Sequence, residues 1–211
     1  MSVDRKLWNA TLSALMLTQA ACGVAVRPNP EATKTPIASP TKSAETPIDI
    51  AFVQTSCDKG GIVIPQPIGW NVLEVQISPT SINCYVSKTP INKEEDFRSG
   101  LQVSKFAATL PEKDKIDYAK QLASQPQAGL LPQANTFKET RVGSFRIFSG
   151  RFTTTRNNLL QDQEIKVILP DGSTFIYILR FSAPKPTSAD DFSKYGRNML
   201  DGITINGLPT N

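Results

Sequence analysis

Histidine is absent from all 211 residues, which removes the commonest general base and the commonest metal ligand together. A His-dependent catalytic triad and a His-ligated zinc site are thereby excluded. Long apolar runs are also missing: the segment from Leu7 through Leu17 is interrupted by Asn9, Thr11 and Ser13 and falls short of the roughly 20 apolar residues needed to cross a bilayer. No run of basic residues occurs either. The 23 basic residues are scattered against 19 acidic ones for a formal charge of +4, a mild solubility term with no nucleic-acid signature. Glycine is sparse in the patterns that bind phosphate. Gly60-Gly61 forms no phosphate loop, and no Gly-x-Gly-x-x-Gly follows a strand. No Gly-x-Ser-x-Gly elbow marks a nucleophile.

What is present begins with an export-like segment. Arg5 and Lys6 precede the apolar run, which ends in the small residues Ala20 and Ala21 before Cys22 and Gly23. We read residues 1–21 as a signal peptide. Ala20-Ala21-Cys22-Gly23 resembles the lipobox of bacterial lipoproteins, in which cleavage before cysteine frees a residue whose sulfur carries diacylglycerol. Gln19 stands where that pattern usually has an aliphatic residue. The competing reading is a plain secretory signal cut after Ala21 or Ala25.

Residues 22–48 read as the lipidated cysteine and a linker. Pro28, Pro30, Pro36, Pro40 and Pro47 are spread among Thr, Ser, Ala and Lys, and Ile37 is the one large apolar residue from Arg27 to Pro47. Such a composition buries no core. In an extended form its roughly 21 residues reach about 60 Å, enough to hold a domain off a membrane. With Cys22 as acyl acceptor, Cys57 and Cys84 remain as an even pair in an oxidising compartment. A disulfide between them, closing a loop of about 27 residues, would contribute roughly 3 to 4 kcal/mol. Two buried free thiols are the alternative.

The folded domain is expected over 49–211. Short branched runs at Ile50 to Val53 and Gly61 to Ile64 read as strands, followed by a turn at Pro65 and Pro67. Leu73, Val75 and Ile77 alternate with polar residues and are assigned to the core, with Trp70 and Val72 on the other parity. Strands follow around Ser81 to Ser87 and Gly100 to Ala107. A helix is predicted from an N-cap at Asp114 until Pro126 stops it. Then come Phe137 to Val142, Phe145 to Thr154, and a hairpin in which Ile165, Val167 and Leu169 turn through Pro170-Asp171-Gly172 into Phe175, Tyr177, Leu179 and Phe181. A last helix starts at Ser188, where Asp191 approximates a capping box, and carries Phe192, Tyr195, Met199 and Leu200 to Gly202. The order gives an α+β class, an antiparallel β-sheet covered by helices.

The Pro65 to Trp70 segment (Pro-x-Pro-x-Gly-Trp), the middle helix, the long hairpin and the closing Phe192 to Ile205 segment resemble the PsbP and DcrB superfamily over about 150 residues. The resemblance implies a PsbP-like α/β/α sandwich, and members are often envelope or thylakoid lipoproteins, including cyanobacterial relatives of a photosystem II subunit. It transfers no ligand residue and no cofactor.

Acidic groups at Glu94, Glu95 and Asp96, and at Asp190 and Asp191, are candidate cation ligands, with capping and solvation as the simpler role. Phe145, Phe148, Phe152, Phe175, Tyr177 and Phe181 recur at period two, which favours core over pocket. The expected function is a non-enzymatic accessory or binding lipoprotein outside the cytoplasm. Its expected partners are the membrane, through a lipid on Cys22, and an envelope or membrane protein; nucleic acid is not among them. A small-ligand carrier with an apolar pocket between sheet and helix is the alternative, and an enzyme using carboxylate or serine chemistry the third reading.

Overall fold

The computed structural model describes residues 50–125, 130–156 and 158–211. The expected signal peptide, Cys22 and the expected linker lie outside them. Among the described residues there are twelve strands: β1 (Phe52–Cys57), β2 (Ile62–Pro67), β3 (Asn71–Ser78), β4 (Ser81–Ser87), β5 (Gly100–Ala107), β6 (Leu130–Pro132), β7 (Lys138–Val142), β8 (Phe145–Arg156), β9 (Leu159–Pro170), β10 (Phe175–Pro184), β11 (Thr204–Ile205) and β12 (Leu208–Pro209). Helix α1 spans Glu112–Ser124. Near the C-terminus α2 (Ser188–Asp191) runs through a π turn at Phe192–Gly196 into α3 (Arg197–Asp201). No described helix is long and apolar enough to cross a membrane.

Eight strands form one antiparallel sheet in the order β3-β4-β5-β10-β9-β8, with β6 and β7 in tandem along the outer edge of β8. The period of two in β9 and β10 sets its two faces. Ile168, Tyr177, Leu179 and Phe181 point to one side, with Cys84, Val86, Leu101 and Val103 from β4 and β5. Met199, Leu200 and Ile203 of the C-terminal segment cover them, together with Ile62, Ile64 and Ile205 of a second sheet ordered β1-β2-β11-β12. On the opposite face, Ala119 and Ala123 of α1 pack on Phe148, Phe152, Ile165, Val167 and Ile176. Each such large buried side chain contributes about 1.5 to 3 kcal/mol. Gly150 makes this contact possible: a Cβ there would lie 1.9 Å from the Ala123 carbonyl oxygen. Ile91 and Phe97 close the far end of that face over Tyr85, Leu73 and Val75. The α+β class with an antiparallel sheet covered by helices is therefore correct.

Several expectations are revised. Pro65 and Pro67 make no turn; they end β2, opposite Gln54 and Phe52 of β1. They are tolerated because β11 pairs only with Ile62 and Val63, leaving the other edge of β2 open where a missing N–H costs little. The turn comes later, at Gly69, whose φ of +85 suits glycine. Leu73 and Val75 do pack inward, but Trp70 and Val72 pack on the opposite face, so β3 is covered on both sides. Ile77 is 54% exposed, at a register shift between Gln76 and Ser78 that breaks the alternation. Helix α1 begins at Glu112 behind Pro111, so Asp114 sits in the first turn and is not the cap. Lys115 fixes the helix to the hairpin turn, donating to the Ser173 carbonyl at 2.8 Å.

Candidate functional site

Strands β8 and β9 are 12 residues each and change character along their length. Near the β9–β10 turn their first face is apolar, with Phe145, Ile147 and Ile168. Further along, the same parity carries Arg151 and Thr153 on β8, paired with Glu164 and Asp162 on β9. The C-terminal helical segment crosses over this polar stretch without filling the space. A cleft of about 620 Å³ results, lined by Lys138, Arg151, Asp162 and Glu164 from the sheet side and by Ser188, Phe192, Arg197 and Asp201 from the helices. A shallower depression of about 280 Å³ adjoins it and shares Lys138, Arg151 and Glu164.

The π turn helps place the helical wall. A π turn adds a residue to one helical turn, so Arg197 and Asp201 return to the side already occupied by Ser188, Ala189 and Ser193. Gly196 allows that turn to sit close to the sheet, since a Cβ would lie 2.9 Å from the Phe181 ring.

Asp162 is the hub of the cleft. Ser188 Oγ donates to it at 2.7 Å, Lys185 Nζ at 2.9 Å, Thr153 Oγ1 at 3.0 Å and Gln133 Nε2 at 3.2 Å. Burial alone pushes its carboxyl pKa up, but the donors Ser188, Lys185 and Thr153 together outweigh burial and hold it below the ordinary value. Beside it, Nε and Nη2 of Arg151 both reach Glu164 Oε2 at 2.9 Å, while the guanidinium lies 5.6 Å from the centre of the Phe192 ring. Lys166 Nζ meets Asp201 Oδ1 at 2.5 Å, tying β9 to α3.

Ser188 illustrates how the sequence misleads locally. The Ser188/Asp191 capping box does not form, because Ser188 lies inside the helix with its hydroxyl turned to Asp162; Thr187 Oγ1 bonds Asp191 instead, at 2.7 Å. A serine beside a carboxylate suggests nucleophile and base. The geometry argues against it, since Ser188 is 7% exposed and a carboxylate held below its ordinary pKa is a poor proton acceptor at neutral pH.

The other sequence candidates separate. Cys57 and Cys84 come together at disulfide distance, Cα to Cα 6.4 Å, between β1 of the small sheet and β4 of the large one. Asp96 accepts from the backbone N–H groups of Asn92 and Lys93, and Glu94 accepts from Asn83. Among the described residues no three or more His, Cys, Asp or Glu side chains are grouped to hold a metal. Phe145, Phe148, Phe152, Tyr177 and Phe181 are buried core and Phe175 packs beside them. Burial raises the Tyr177 hydroxyl pKa against the pull of nearby Lys105; Asp58 pushes it up and the Asn206 side chain pulls it down. This cleft between sheet and helix is polar, whereas the small-ligand alternative called for an apolar pocket. Its residues were visible as a polar parity, Asp162, Glu164 and Lys166, that reads as solvent-facing until the returning helix is known.

No family model matches the chain, and no curated protein matches it. Solved structures similar to it include LpqN of Mycobacterium tuberculosis, involved in cell envelope biogenesis, at 16% identity and a TM-score of 0.44 over 74% of this chain and 91% of that one. Cyanobacterial PsbP from Synechocystis matches at 10% identity and a TM-score of 0.44, covering 79% and 99%. The Ran-binding protein Mog1p of Saccharomyces cerevisiae matches at 10% and 0.42, covering 74% and 96%. At such identities the likeness is one of fold alone.

Proposed function

We propose that this chain is a non-enzymatic accessory or binding protein of the cell envelope, held at a membrane by a lipid on Cys22. The observation that carries the reading is the approach of Cys57 to Cys84. A buried pair joined across two sheets suits an oxidising compartment, and it leaves Cys22 as the one remaining cysteine, directly behind the export-like segment. The Pro-rich residues that follow then act as a spacer between lipid and domain. The cleft supports a binding role over catalysis, because its carboxylates are engaged by cations and its buried serine, Ser188, is bonded to one of them. A domain held near a membrane with an open polar cleft suits assistance to an envelope protein or complex.

Cell fractionation with the Cys22→Ser variant tests the tether. The wild-type protein stays with membranes through high-salt and alkaline washes, and the variant appears in the soluble extracytoplasmic fraction. A wild-type protein released by salt, or a variant that remains in the membrane, overturns the lipid anchor.

A further inference from the structure

Three carboxylates and three cations line the cleft, yet Lys166 and Lys185 behind its walls pair two of those carboxylates and leave two of the lining cations without a partner. Its three carboxylates each have a cationic partner: Asp162 has Lys185, Glu164 has Arg151 and Asp201 has Lys166. Two more cations line the same space, Lys138 on β7 and Arg197 on α3. Both are exposed, and neither side chain has an ion pair or hydrogen bond to any described residue. Their positions follow from the fold. Lys138 pairs with Ser149 of β8 and so shares the parity of Arg151, while the π turn brings Arg197 round to the cleft side.

Two uncompensated cations on opposite walls of one cleft attract an anion more strongly than the same pair on an open surface, because low-dielectric walls focus the field. The volume of about 620 Å³ falls within the range of about 300 to 1,000 Å³ typical of small-molecule sites. It exceeds what a single inorganic ion needs. The two free donors differ usefully: an arginine offers a planar fork to an oxyanion and a lysine a point charge. Phe192 on the helical wall adds apolar surface for a carbon skeleton. We propose that the cleft between the β7–β9 face and the C-terminal helices binds a small organic dianion, its acidic oxygens held by Lys138 and Arg197. The dianion is either free in solution or the headgroup of an acidic lipid. The site rests on the folded domain alone and stands whether or not Cys22 is acylated.

Calorimetric titration of the mature full chain at low salt tests this with citrate and inorganic phosphate as free anions, and with phosphatidylcholine vesicles with and without phosphatidic acid as the lipid arm. K138Q and R197Q each weaken binding by about tenfold or more, the loss expected for a hydrogen bond to a charged group, and the double variant abolishes it. The K138R/R197K pair retains most of it. K113Q, which removes an exposed charge from α1 on the opposite face of the sheet, leaves binding unchanged. Thermal unfolding without anion confirms that the variants fold. Citrate or phosphate binding that depends on both residues supports a free ligand; binding confined to phosphatidic acid vesicles, with the same dependence, supports a lipid headgroup. Absence of binding in both arms, or binding that K138Q/R197Q leaves intact, overturns the proposal.

Discussion

Four donors converge on the carboxylate of Asp162, and the consequence is a pH dependence with a definite sign. Because the folded-state pKa lies below the ordinary aspartate value, the stabilisation is present above about pH 3.9 and is lost as pH falls through the folded pKa. Asp162→Asn keeps the shape and loses the charge. The variant is expected to be less stable at neutral pH by about 1 to 3 kcal/mol, towards the lower end because the Lys185 head is 48% exposed and screened by solvent. Urea unfolding across a pH series checks it: the gap between the two proteins holds down to about pH 4 and closes below. A gap unchanged at lower pH removes Asp162 from the account. The residue itself was legible in sequence only as one member of a polar parity. Its importance comes from Ser188 and Lys185, 26 and 23 residues away, which no local pattern connects to it.

Among the elements, the link between the small sheet and the large one through Cys57 and Cys84 has the clearest energetic consequence. With a sequence separation of 27, a bond there contributes roughly 3 to 4 kcal/mol by restricting the unfolded chain. Denaturant unfolding of Cys57→Ser/Cys84→Ser beside the wild type is expected to show that loss. Equal stability of the two proteins would mean that the thiols are free. The same elements show what sequence pattern can and cannot deliver. Hairpin β9–β10 was legible because long strands with Asp171-Gly172 between them carry period, register and turn chemistry together. Strands β11 and β12, with two residues each, are too short to display any period. They are nonetheless what completes the small sheet around Ile62, Ile64 and Ile205. The π turn left no sequence signal, although Gly196 against Phe181 is where one would look.

For the whole molecule, the arrangement is a sheet whose two faces are covered by different means: α1 and the Ile91–Phe97 region on one side, the C-terminal helices and small sheet on the other. The open cleft exists because β8 and β9 extend beyond the apolar part of that second cover. The fold class was readable because alternating strands punctuated by turn residues allow few arrangements. The cleft was not, since it depends on where the chain's last helices return. The proposed address rests on three cysteines, of which two lie together in the fold and one stands apart in sequence. Intact mass of the mature protein extracted from membranes reads all three at once. A chain beginning at Cys22, heavier than its sequence by a diacylglyceryl group and lighter by two hydrogens at Cys57 and Cys84, is the predicted result. A water-soluble product that starts after Ala25 and carries no lipid would contradict it.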